Sequence, residues 1–146
     1  MRKMALVLIV ALAFLGATGC KSSTAPDVNS FIGTWNATKA EYVSIADPNT
    51  KNDIIADGST LTLVFSTSTF VMTVTDPGMD PVIRNGTWSV SSDTLTLTWT
   101  TGFSGESQFD FILNGDNLTL IGGHLPYAFT PGNSEDAILN LILVRQ

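Results

Sequence analysis

The chain has one cysteine, Cys20, and one histidine, His124, in 146 residues. A single cysteine excludes a disulfide within the chain. A zinc site needs three or four clustered His, Cys or carboxylate ligands, and a Ser-His-Asp triad would have to use His124. That histidine follows Gly122-Gly123 in a Gly/Pro stretch, and no serine sits in a strand–turn–helix pattern. Gly102-Phe103-Ser104-Gly105 lacks the G-x-S-x-G form of a nucleophile elbow. His124 is therefore read as a rim or loop residue. Asp76 and Asp80 flank Pro77-Gly78, which suits turn formation and is too few ligands for a calcium loop. There is no glycine-rich phosphate loop, and no cofactor, metal or catalytic residue is expected. Basic residues are scarce too: seven Lys plus Arg against thirteen Asp plus Glu give a formal charge of −6. Such a chain is a poor partner for nucleic acid or anionic lipid surfaces. The acidity is read as solubility.

Long uncharged apolar runs are confined to the start. Met4 to Gly19 carries no charge and follows Arg2 and Lys3. It falls short of the roughly 20 apolar residues of a membrane-spanning helix and has the charged-then-apolar layout of a secretory signal. The run ends Gly16-Ala17-Thr18-Gly19-Cys20, which resembles the lipobox of bacterial lipoproteins, with Ala17 where Leu is usual. The resemblance implies diacylglyceryl transfer to the Cys20 sulfur, cleavage before Cys20 and acylation of the new amine by a chain such as palmitate. Two or three acyl chains on one residue give stable anchoring where one is marginal. The implied location is the bacterial cell envelope, lipid-anchored through Cys20. Because Lys21, not Asp, follows the cysteine, the outer membrane is the implied destination where the cell has one. The other reading is an ordinary secretory signal with an incidental cysteine. Lys21 to Ser30 (KSSTAPDVNS) is small and polar and reads as a flexible tether. The expected organisation is residues 1–19 signal, 20–30 lipidated cysteine and tether, and 31–146 one domain.

What the rest of the chain has in abundance is two-residue periodicity. In Arg84–Thr100, Gly86, Trp88 and Val90 share one phase, and Leu95, Leu97 and Trp99 share one phase of the next run. If Val90 faces Leu95, then Trp88 faces Leu97 and Gly86 faces Trp99, so one register satisfies the whole apolar face. Gly86 is expected to leave room for the Trp99 indole. Similar runs cover 31–45, 60–65, 69–75, 106–113 and 118–120, and 137–145 is apolar in both phases. Residues 46–59 and 76–81 read as loops, 122–136 as irregular, and Asn114-Gly115 as a hairpin turn. No helical stretch is expected after the signal. Eight short strands predict an all-β, antiparallel, up-and-down barrel whose last strand pairs with the first and removes both edges. A β-sandwich is the competing architecture.

Gly33-Thr34-Trp35, the later Gly86-Thr87-Trp88-Ser89-Val90 and Thr94-Leu95-Thr96-Leu97-Thr98 resemble motifs of lipocalins, in particular the lipocalin-like domains of short bacterial lipoproteins. The resemblance spans about residues 31–145 and implies a lipocalin-like barrel, without a counterpart of the lipocalin C-terminal helix in these 146 residues. It also implies that an arginine late in the last strand packs over the motif tryptophan, with Arg145 the candidate for Trp35. The alternative is a solvated C-terminal arginine. The residues expected to form the barrel motif or line a ligand are Gly33, Trp35, Phe65, Phe70, Trp88, Trp99, Phe109, Phe111 and Arg145. An eight-stranded barrel is just wide enough to be filled by side chains or to hold one small ligand. The inward phase is read as containing no charged residue or histidine deep in a strand, which favours a packed core over a specific carrier. Two functions remain open: binding a small hydrophobic ligand at the open mouth, or acting as a protein-binding accessory or inhibitor for an envelope protein. An enzyme is not expected.

Overall fold

Strands form wherever the alternation of apolar and polar residues is sustained. The computed structural model describes residues 26–146. The expected signal, Cys20 and the first half of the tether lie outside the described residues. In chain order the strands are β1 (Gly33–Ser44), β2 (Lys51–Asp53), β3 (Thr60–Phe65), β4 (Thr69–Thr75), β5 (Val82–Ser91), β6 (Thr94–Trp99), β7 (Glu106–Asn114), β8 (Asn117–Thr130) and β9 (Asn133–Arg145). Every pairing is antiparallel, β3 to β9 follow one another in order, and β1 bonds to both β3 and β9. The sheet thus closes into an eight-stranded barrel, with β2 as a short addition. Closure gives each of the eight barrel strands a neighbour on both sides over at least part of its length.

The β5–β6 hairpin has the expected register: Val90 faces Leu95, Trp88 faces Leu97 and Gly86 faces Trp99. A Cβ on Gly86 would meet the Thr98 carbonyl oxygen at 2.0 Å and the Phe70 ring at 2.9 Å, the ring that packs edge-on against Trp99. Alternation sorts burial all round the barrel. Leu61, Leu63 and Phe65 of β3, Leu95, Leu97 and Trp99 of β6, and Leu139, Leu141 and Leu143 of β9 are all buried. Each such side chain contributes roughly 1.5–3 kcal/mol by leaving water. The three indole N–H groups all have acceptors: Phe31 O for Trp35 (2.8 Å), Ser66 O for Trp88 (2.8 Å) and Ser107 Oγ for Trp99 (2.9 Å). Large aromatics can therefore be buried without an unmet donor.

Four features depart from the sequence reading. The loop 46–59 contains β2, which pairs with Glu41–Val43 of β1. β1 bonds to β3 only through Gly33–Asn36 and then bulges between Ala37 and Lys39. Its freed edge is taken by Lys51–Asp53. Residues 122–136, expected to be irregular, continue β8 and open β9. The two strands pair as far as Thr130 and Asn133, with register shifts at Leu120/Gly123 and Tyr127/Thr130. The β7–β8 turn is centred one residue on, at Gly115-Asp116, with Asn114 facing Asn117 and Gly115 at φ 59°. Finally, the chain before β1 is not strand. Val28–Ser30 forms a 3-10 turn capped by Asp27, and Phe31 behind it is buried.

Candidate functional site

The two ends of the barrel are built differently. At the end where β1 begins, Phe31 enters the barrel and packs edge-on against Phe111 (5.0 Å between centroids) and Phe65 (6.3 Å) and against Trp88 (5.7 Å). Arg145 faces Trp35 across the β1–β9 pairing, and its guanidinium lies 4.2 Å from the indole centroid. Arg145 also donates to the carbonyls of Ile32 (2.7 Å) and Ser30, and its Nε stands 3.3 Å from Asp116. Gly33 passes beneath it, where a Cβ would come within 2.8 Å of Nη1. The arginine thus ties the N-terminal turn across this end and seals it.

Seven residues further along β1, about 23 Å at strand rise, Tyr42 opens onto a cleft of about 460 Å³. Apolar walls come from Ile54, Val74 and Val82; aromatic walls come from Tyr42, Tyr127 and Phe103. Tyr42 and Tyr127 stack at 4.1 Å with 14° between their planes, and Asn52 of β2 bonds the Tyr127 hydroxyl. Polar side chains at the rim are Arg84, Asp76 and Ser134. Asp76 accepts a 2.6 Å hydrogen bond from Ser59. Arg84 lies over the Phe103 ring at 4.3 Å, and its Nε is buried without a hydrogen-bond partner among the described residues. Burial pushes the Tyr42 hydroxyl up to about 12, against the opposing pull of the Arg84 charge. Tyr42 therefore stays a neutral donor at ordinary pH.

None of the nine residues expected to form the barrel motif or line a ligand lines this cleft. Gly33, Trp35, Phe65, Trp88, Phe111 and Arg145 gather at the sealed end. Phe70, Trp99 and Phe109 fill the barrel between, with Phe70 edge-on to Trp99 at 4.9 Å and Trp99 edge-on to Phe103 at 5.1 Å. The residues that do line it include two that parity could have found. Arg84 shares the inward phase of Gly86, Trp88 and Val90, and Asp76 continues the phase of Phe70, Met72 and Val74. The inward phase therefore does carry charged groups, at the strand ends that form the mouth. Tyr127 lies in the stretch read as irregular, so its phase was hidden.

Elsewhere the chemistry is sparse. His124 is exposed and its Nδ1 stands 3.2 Å from Asp136. Among the described residues no three His, Cys, Asp or Glu side chains gather closely enough to hold a metal ion.

An antiparallel barrel of eight strands, sealed at the end where its chain enters and open at the other, is a lipocalin-type fold. A family model of the lipocalin-like domain matches residues 31–120, and the chain belongs to that family. Two solved structures are similar to it. One, an uncharacterised protein from Bacteroides eggerthii, has 12% identity and a TM-score of 0.49, over 80% of this chain and 99% of its own. The other, lobster apocrustacyanin A1, has 16% identity and a TM-score of 0.42, over 81% of this chain and 62% of its own. No curated protein matches the sequence.

Proposed function

We propose that this protein is a lipid-anchored binding module of the bacterial envelope that holds a small, largely apolar molecule in the mouth of its barrel. The observation that carries the reading is the cleft between Tyr42, Tyr127 and Phe103, at the low end of the ~300–1,000 Å³ typical of small-molecule sites. The closed half has no room for a ligand, since Trp35, Phe31, Phe65, Phe70 and Phe109 are fully buried there. The cleft pairs a few polar groups with apolar walls, which is the composition of a small-molecule binding site.

The anchor would be Cys20, in the outer membrane where one exists. The described chain enters the barrel at the sealed end, which supports an orientation with that end toward the bilayer and the cleft away from it. Residues 20–27 span at most about 30 Å, so the domain would stay near the membrane. Cys20→Ala would then be recovered without acyl chains and would no longer partition into detergent. Labelled fatty acid on that variant would rule out the cysteine as the anchor.

The cleft reading is tested with the neutral dye N-phenyl-1-naphthylamine. A saturable rise in fluorescence with one site per chain, weakened in Tyr127→Ala, is expected. A folded wild-type protein that gives no saturable signal would overturn it. The second reading, a docking surface for an envelope protein, is favoured by one observation. Ile112 and Ile142 are exposed on the outer wall beside Thr119, which pairs with both, and exposed Ile121 is two residues along. That reading predicts that Ile112→Lys abolishes a cross-link formed in intact cells at position 119 and leaves dye binding intact; an unchanged cross-link would exclude it.

A further inference from the structure

We propose that Arg84 is the anion-recognition residue of the cleft, and that the ligand is an amphipathic acid: an apolar body carrying one oxyanion, such as a carboxylate. The inference rests on the cleft reading above and narrows it to a chemical class.

Arg84 is held in place by its surroundings. It faces Met72 across the β4–β5 pairing, on the inward phase of β5. The β6–β7 loop lies over its stem: a Cβ on Gly102, at φ 82°, would come within 2.5 Å of its Cγ and 3.1 Å of its Nε. Phe103 then covers one face of the guanidinium. These contacts fix the stem and the plane of the fork. None of them uses its hydrogen-bonding capacity. Among the described residues Arg84 forms no ion pair, and its buried Nε has no acceptor. An arginine carries five N–H donors in a rigid fork suited to a carboxylate. The Nε is shut off from solvent, so a ligand oxyanion in the cleft would take its charge-assisted bonds from the Nη groups, which make no hydrogen bond among the described residues.

The rest of the cleft fits the same ligand. No other Lys, Arg or His lines it, so it offers one positive charge. Asp76 at the rim, already engaged by Ser59, disfavours a second negative charge. Tyr42, protonated at neutral pH as tyrosine ordinarily is, is a neutral donor on the same cleft. The stacked Tyr42 and Tyr127 rings present a flat apolar wall, which suits a planar or chain-like body over a branched polar one.

The test compares two displacing ligands with one apolar body, 1-naphthylacetate and its methyl ester, against bound N-phenyl-1-naphthylamine at neutral pH. The acid should displace the dye at about tenfold lower concentration or less, the scale of a hydrogen bond to a charged group. The preference should vanish in Arg84→Met and persist in Arg84→Lys. Equal displacement by acid and ester in the wild-type protein would overturn the anion assignment while leaving the cleft reading intact. So would a preference that survives Arg84→Met. Failure of the dye to bind at all would overturn both. The wild-type ratio and Arg84→Lys decide the matter even where Arg84→Met does not fold.

Discussion

The barrel carries two arginines laid over aromatic rings, one at each end, and they do different things. Arg145 stands 4.2 Å from Trp35 and Arg84 stands 4.3 Å from Phe103. The stacking is equivalent; the fate of the N–H groups is not. Arg145 spends its donors on the carbonyls of Ile32 and Ser30, so its charge serves to fasten the chain entry to the last strand. Arg84 keeps a buried Nε without an acceptor. A cation whose donors are consumed by its own chain stabilises the fold. One whose stem is fixed but whose donors are unspent is poised for something outside the chain. The two ends differ accordingly: interlocked rings closed by a committed arginine at one, a cleft lined by an uncommitted arginine at the other.

The largest effect expected from breaking this contrast is at the sealed end. Arg145→Met keeps an apolar stem over Trp35 and removes the charge-assisted bonds to the N-terminal turn. Bonds to charged groups contribute about 1.5–3 kcal/mol each, and Arg145 is partly exposed, so a loss of about 2–3 kcal/mol in urea unfolding is expected. Hydrogen exchange should also rise first at Phe31 and Ile32. A loss below about 0.5 kcal/mol, the level of an ordinary surface change, would mean that the turn is held by Phe31 packing alone.

The next effect depends on pH and belongs to the open end. Tyr42 has its ionisation pushed from the ordinary 10 up to about 12 by burial. The folded state therefore holds its proton more tightly than the unfolded state. The neutral tyrosine costs nothing below pH 10, and stability falls as pH rises through the window from about 10 to 12. At about 1.4 kcal/mol per unit, the wild-type protein should lose about 2 kcal/mol more across that window than Tyr42→Phe, with the two alike at pH 7. Parallel alkaline curves for the two proteins would show that the Tyr42 hydroxyl ionises freely and is not buried in the cleft wall.

Much of the fold was legible because period two is a physical constraint. A strand with one buried face must alternate, and one register alone satisfies β5 and β6. Closure was legible from the last strand, which is apolar in both phases; of its outer phase, Ile142 is exposed. β2 was not legible, because Lys51–Asp53 has no pattern of its own and becomes strand only where β1 leaves β3. The β8 extension was hidden by Gly122, Gly123 and Pro126, which ordinarily break strands. Beyond Ile121, β8 has lost β7 and pairs with β9 alone, and a proline is tolerated on such an edge. The sealed end was legible and the cleft was not. Trp35 with Arg145 followed from a motif, whereas Arg84 and Asp76 required carrying the inward parity into the ends of strands, where a charge is ordinarily read as solvated.

The smallest effect on stability sharpens the comparison most. Arg84→Met should change the unfolding free energy by less than about 1 kcal/mol, or raise it, at neutral pH. The substitution removes a stacking contact with Phe103 worth about 0.5–1 kcal/mol at a partly exposed site. It also removes a buried donor with no acceptor, whose desolvation cost of about 1–3 kcal/mol the folded state carries. The two terms oppose each other, and the methionine stem still fills the space under Gly102. Residues kept for binding commonly cost stability where they sit, so replacing them is neutral or stabilising while function is lost. Measured beside Arg145→Met under the same conditions, the pair should therefore differ by about 1 kcal/mol or more in the direction of Arg145. If Arg84→Met proved as damaging as Arg145→Met, Arg84 would be a second structural clasp, joining β5 to the β6–β7 loop, and the open end would differ from the sealed end in shape but not in purpose.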